Sequence, residues 1–151
     1  DPALTRHRFG HGEAIYCTGN WEAHPCDWHR ERFEQLLRRW LPVRRLETDL
    51  PGTVEVTAFD HREERQTVLH LLNSPTEPPV PEYADMTLAW RAPERGKPER
   101  IRWIAPEYAG RELGRRVMPV HETELPFTYA DGVTRFQLPR LGAYAMVILQ
   151  Y

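Results

Sequence analysis

Four side chains in the N-terminal quarter have the types and spacing to hold a metal. Cys17, His24, Cys26 and His29 follow the pattern Cys-x6-His-x-Cys-x2-His, with His7 and His11 upstream. Thiolate and imidazole are the ligands zinc prefers, and four of them in a tetrahedron make a structural site. The pattern departs from a zinc finger, whose ligands pair about two to four residues apart on each side. The competing and favoured reading is a cysteine at a strand end and histidines in a surface loop. No metal or other cofactor is therefore assigned.

Carboxylates come next, because glycoside hydrolysis uses a pair of them. Glu13, Asp49, Glu55, Asp60, Asp85, Glu122 and Glu124 qualify by type, but none has a distinguishing context. Glu55 falls in an alternating stretch and is expected to face water. His70 sits among apolar neighbours, where it serves either as a titrating base or, as favoured here, as a core or interface histidine bonded to backbone. Ser74 and Cys17 lack the strand–turn–helix context of a nucleophile elbow. Gly10-His11-Gly12 precedes a strand rather than a helix, so it does not read as a phosphate cradle. No residue is assigned a catalytic role.

Aromatic side chains offer a binding chemistry. Sugar rings pack their C–H faces on exposed indole and phenol rings, which combine apolar area with a polar edge. Trp21, Trp28, Trp103 and Tyr108 are the sugar-binding candidates. Core packing is the stronger expectation for a tryptophan in an alternating strand, such as Trp90.

These residues must be positioned by elements whose character changes near Pro42. Before it, Glu13-Ala14-Ile15-Tyr16-Cys17 is a short strand after a glycine turn, a loop follows, and Asp27 caps a helix running to about Leu41. Phe33, Leu36, Leu37, Trp40 and Leu41 form one apolar stripe on that helix, with Glu34 and Arg38 at i,i+4 on the polar side. After Pro42 the chain reads as strand and turn. Residues 53–59 alternate, with Val54, Val56 and Ala58 on one face. Asp60-His61-Arg62-Glu63-Glu64 is a polar turn, and Val68-Leu69-His70-Leu71-Leu72 runs back as the second arm of a hairpin. Residues 74–81 hold four prolines and form an extended surface loop. Met86, Leu88 and Trp90 alternate up to a Pro-Glu-Arg-Gly turn, and Ile101 and Trp103 alternate after it. Short strands follow at residues 117–120, 127–129 and 133–138, the last two joined by an Asp131-Gly132 hairpin turn. The near-continuous apolar run over residues 143–151 predicts a strand covered on both faces, central in its sheet. The fold class is mainly β: an antiparallel β-sandwich over residues 43–151, preceded by a strand–helix unit over residues 1–42.

The bulk composition agrees. A chain of 151 residues buries about 68–70% of its unfolded surface, so it needs no metal or disulfide to fold. Net charge is -2, from 20 basic and 22 acidic residues, which supplies no field for nucleic acid or an anionic membrane. The longest apolar run falls well short of the roughly 20 residues that span a bilayer. Two cysteines, Cys17 and Cys26, make no disulfide framework and favour reduced thiols in the cytoplasm. The opening on Asp1-Pro2 without an initiator Met reads as a fragment of a longer protein.

Several segments carry a family resemblance: Val68-Leu69-His70-Leu71-Leu72-Asn73, the proline loop after it, Ile101-Arg102-Trp103, and Phe136-Gln137-Leu138-Pro139-Arg140-Leu141-Gly142-Ala143-Tyr144-Ala145-Met146-Val147. Together they resemble the small C-terminal β domain of multidomain glycoside hydrolases, notably the trimer-forming β-galactosidases. Gly10-His11-Gly12-Glu13-Ala14-Ile15-Tyr16 and the helix after it resemble the last βα unit of the flavodoxin-like middle domain of such enzymes. The resemblance implies a non-catalytic accessory domain, since the catalytic carboxylates of these enzymes lie on a barrel that nothing here matches. It also implies the other domains of the parent enzyme as partners, and a possible homo-oligomer through Phe33, Leu37 and Trp40. Two alternatives stand beside it: a carbohydrate-binding module using exposed tryptophan and tyrosine, and a small metal protein using the Cys/His cluster.

Overall fold

The computed structural model describes residues 4–19, 27–41, 43–106 and 120–151. The chain divides into two compact units, Asp1–Val43 and Arg44–Tyr151.

In the first unit, β1 (Leu4–Phe9) and β2 (Gly12–Cys17) form an antiparallel hairpin, and α1 spans Asp27–Trp40. The turn is Gly10-His11, with Gly10 at φ 57°, a conformation open to glycine at little steric cost. Two strands stand where periodicity gave one. Leu-Thr-Arg-His-Arg-Phe is mostly polar and exposed, so β1 has no hydrophobic alternation to announce it. Asp27 opens α1 and Arg38 and Arg39 close it, matching the sign of the helix dipole at each end. Glu34 and Arg38 form the i,i+4 ion pair at 3.7 Å. The apolar stripe is only partly covered: Phe33, Leu36 and Trp40 are half-buried, while Leu37 is 37% and Leu41 60% exposed.

The second unit is an antiparallel sandwich. One sheet has the order β3-β6-β10-β9 and the other β4-β5-β11-β7-β8. Their ranges are β3 Leu46–Thr48, β4 Val54–His61, β5 Gln66–Asn73, β6 Tyr83–Arg91, β7 Arg100–Pro106, β8 Val120–Glu124, β9 Phe127–Ala130, β10 Val133–Leu141 and β11 Tyr144–Gln150. The inner faces meet in one core. Leu88, Trp90, Phe136 and Leu138 come from the first sheet, and Leu69, Leu71, Ile101, Trp103, Val147 and Leu149 from the second. β11 is the central strand of five, as its unbroken apolar run predicts, and Ile148 opposite Val68 is buried even on the outer face. The turn after β4 comes later than the sequence suggests: the strand runs on to His61, and residues 62–65 turn. Of the stretch expected as a strand at residues 117–120, only Val120 lies among the described residues. The three-residue β3 was not anticipated, being too short for any period to show.

Two devices hold the loops. Asn73, buried at the end of β5, donates from Nδ2 to the Pro81 carbonyl at 2.8 Å, and its Oδ1 faces Thr53 Oγ1 at 3.3 Å. One side chain thus pins the far end of the proline loop. At the other end of the sandwich, Asp131 and Gly132 take φ of 53° and 75°, the doubly left-handed geometry that matches strand twist in two-residue hairpins. A Cβ on Gly132 would stand 2.7 Å from Pro93 Cβ, so this turn packs directly on the Pro93 turn.

Gly132→Ala is expected to destabilise the chain by about 2 kcal/mol, from left-handed strain and overlap with Pro93, read as a lower urea midpoint. Asn73→Ala is expected to cost about 1–3 kcal/mol, because the Pro81 carbonyl loses its donor, and to speed proteolysis within residues 74–81.

Candidate functional site

The Cys/His cluster is not assembled among the described residues. Cys17 ends β2 as a half-buried free thiol and His29 lies in the first turn of α1. His24 and Cys26 lie outside the described residues. No group of three or more metal-ligating side chains converges among those that are described.

The aromatic candidates separate. Trp28 is 56% exposed at the start of α1. Its ring meets His29 edge-on at 4.8 Å and carries the Arg32 guanidinium at 5.8 Å. Trp103 is corrected to a core residue: it is 5% exposed, and its ring is enclosed between the sheets where no sugar face can reach it. Trp21 and Tyr108 lie outside the described residues.

The carboxylate candidates also disperse. Glu13 braces the β1–β2 hairpin, 2.7 Å from Arg6 and 3.6 Å from Arg8. The hydrogen bond from Arg6 holds it below the usual carboxylate range. Asp49 accepts the Thr87 backbone N–H at 2.7 Å and extends the short β3 edge. Glu122 pairs with Arg102 at 2.7 Å on the outer side of the second sheet. Glu55 and Glu124 are exposed. Asp85 takes a positive φ of 56° in β6, at the position facing Pro139, which has no N–H to offer the ladder. There the inward set on β10 shifts phase, from Phe136 and Leu138 to Leu141. His70 is half-buried, but its Nδ1 pairs with the Tyr144 hydroxyl at 2.6 Å and Phe59 meets its ring edge-on at 5.3 Å. Its partner is thus a side chain rather than backbone.

Among the described sequence candidates, Asp60 lines a cavity. The cleft, ≈ 630 Å³, opens between the two sheets at the edge formed by β3 and β4. β4 has 8 residues and β3 only 3, and Val54 and Val56 pack against the core. Ala58 and Asp60, on the same face of β4, are left open. Trp90 near the end of β6 and Ala92 just after it form the floor, and Arg45, Arg62, Glu94 and Arg95 the rim.

Glu94 and Arg95 come from the Pro93–Gly96 turn, closed by hydrogen bonds from Arg95 N to Ala92 O and Gly96 N to Pro93 O, with Gly96 at φ 77°. The sequence reads this segment as a turn and nothing more. Only its packing under the Gly132 turn shows that it faces Asp60. Arg95 hydrogen-bonds Asp60, Arg45 hydrogen-bonds Glu94, and Arg62 adds a second contact to Asp60 at 3.5 Å. Arg95 also lies 5.7 Å over the ring of Tyr151. Partial burial works against the Asp60 carboxylate, but Arg95 and then Arg62 outweigh it and hold the group below its usual range. Arg45 does the same for Glu94. Burial pushes the Tyr151 phenol up, against Thr67, Trp90 and Arg95. These are near neighbours without full hydrogen-bond geometry, since the phenol oxygen and Trp90 Nε1 are both buried without a partner among the described residues.

The cleft therefore holds two carboxylates, both kept anionic by guanidinium partners. Glycoside hydrolysis requires one carboxyl that stays protonated to serve as general acid. Both carboxylates here are instead held below their usual range.

Scanned against protein-family models the sequence matches none, and no curated protein matches it either. Among solved structures it is similar to α-L-fucosidase isoenzyme 2 from Paenibacillus thiaminolyticus, with TM-score 0.67 and 22% identity over 91% of this chain and 20% of that one. A cycloisomaltooligosaccharide glucanotransferase from Paenibacillus sp., complexed with cycloisomaltoheptaose, matches at TM-score 0.49 and 13% identity over 70% of this chain and 16% of that one. The fucosidase likeness shows a shared fold. The chain spans about a fifth of the length of that protein. Among the described residues, no helix is long and apolar enough to cross a membrane.

Because Asp60 is held below its ordinary value, its ion pair contributes stability above the unfolded aspartate pKa of 3.8 and loses it as pH falls through the lower folded value. Melting curves of the wild type and Asp60→Asn are expected to differ at neutral pH and to converge as pH drops below about 4.

Proposed function

We propose that this chain is a non-catalytic accessory domain of a larger glycoside hydrolase-like protein. The observation that carries the reading is the fold match of 91% of the chain to 20% of an α-L-fucosidase, the relation expected of an auxiliary domain to its parent. The residues quoted for the β-galactosidase resemblance support it as well: Asn73 ties the strand Val68–Asn73 to the proline loop, and the closing segment runs from β10 into the central strand β11. On the same reading, the strand–helix unit within residues 1–42, here β2 and α1, is the remnant of a flavodoxin-like neighbour. The partners are the other domains of the parent, and the partly open stripe of Phe33, Leu37 and Trp40 is the surface proposed to meet them or a second copy. The cytoplasm is the compartment proposed, from the free thiol at Cys17. A carbohydrate-binding module is the second reading, favoured by the exposed indole of Trp28.

The test is hydrolysis of a panel of aryl glycosides by this chain and by the longest gene product containing it. Turnover is expected only from the longer product. Turnover by the isolated chain would sink the accessory reading, and a longer product inactive on every glycoside would remove the glycosidase setting.

A further inference from the structure

We infer that the inter-sheet cleft between β4 and β6 is a binding site for one or two units of a neutral saccharide. The choice of ligand class rests on the carbohydrate setting proposed above. The cleft itself rests on geometry alone.

The cleft's volume, ≈ 630 Å³, lies within the range of roughly 300–1,000 Å³ typical of small-ligand pockets. It is built rather than incidental. Ala58 lines it with only a methyl group, and the Pro93–Gly96 turn, braced by its close approach to Gly132, places Glu94 and Arg95 on its rim. Its wall chemistry is specific. Asp60 with Arg95, and Glu94 with Arg45, are ion pairs. Each presents acceptor and donor atoms side by side, an arrangement complementary to adjacent ring hydroxyls, which both donate and accept. The lining holds three guanidiniums and two carboxylates; the odd one, Arg62, is 87% exposed beside Asp60, so water screens the single excess charge. That favours a neutral polyol over an anion. The floor is Trp90, only 6% exposed, so it offers an apolar strip rather than a full stacking platform. Its indole N–H is buried beside the Tyr151 phenol, so it reports on the floor of the cleft without touching the ligand. The side chains that meet the ligand are held by strands and tight turns and need little ordering on binding.

The proposal is tested by NMR titration of the whole chain with D-galactose, L-fucose and D-glucose, with sulfate and D-galacturonate as charged controls. At about 0.1 M a complex with a millimolar Kd is saturated. The expected result is a saturable shift of the Trp90 indole N–H and of the Asp60 and Arg95 amides with at least one neutral sugar. Ala58→Leu, which fills the cleft from an exposed position, is expected to abolish the shifts with the melting temperature unchanged. Asp60→Asn is expected to weaken binding by about tenfold and keeps the test open if the leucine variant fails to fold. Trp28→Ala is expected to change nothing. The inference is overturned by the absence of any saturable shift with a neutral sugar, by shifts confined to Trp28, or by larger shifts with sulfate or galacturonate. Neither outcome moves the aryl glycoside assay, so failure of this inference and failure of the accessory-domain reading are seen separately.

Discussion

The sandwich depends on the pairing of β11. This strand joins β5 on one side and β7 on the other, with Ile148 facing both Val68 and Arg102. Without it the second sheet separates into a β4–β5 hairpin and a β7–β8 pair, neither with enough buried area to stand alone in water. Its residues are buried on both faces at the centre, so the strand is the point where the two halves of the sheet share one core. Both contacts are remote in sequence, and their loop-closure entropy must be met before the hydrophobic gain is realised. Backbone bonds at the strand end reinforce the join: Tyr151 N donates to Arg65 O and Glu99 N to Gln150 O.

The same sandwich is incomplete at one corner. The alternation that puts Val54 and Val56 against the core continues through Ala58 and Asp60, which are exposed. Asp60 and Glu94 keep 45% and 53% of their side-chain surface open, and each has an arginine partner. The close approach of Gly132 to Pro93 ties the turn that carries Glu94 and Arg95 to the β9–β10 hairpin of the same sheet, so stability and the geometry of the cleft share residues.

Much of the fold was legible in the sequence, and the reason is visible element by element. Ile101 and Trp103 alternate because β7 has one face in the core. The apolar run over residues 143–151 does not alternate because both faces of β11 are covered. Asp131-Gly132 reads as a hairpin turn because both positions need left-handed backbone. Asp27 and the stripe from Phe33 to Trp40 give the helix by cap and period. What escaped was short or polar: β1, whose exposed side chains carry no hydrophobic period, and the three-residue β3, held by its pairing with Leu88 and Trp90 rather than by its own propensity.

The cleft was the least legible part, since it is made by contacts between segments that look ordinary alone. Asp60 read as one of several solvated carboxylates, Ala58 as a filler position in a strand, and Pro93-Glu94-Arg95-Gly96 as a turn. The sequence by itself determined an antiparallel β protein with a preceding helix, its main turns, and a buried closing strand, because periodicity and turn chemistry are local properties. Only the tertiary structure decided which tryptophans face the core, that His70 pairs with Tyr144, and that Asp60, Trp90 and Arg95 share one cavity. Those outcomes depend on how far each strand extends and what lies across the sheet from it, which no local spacing encodes.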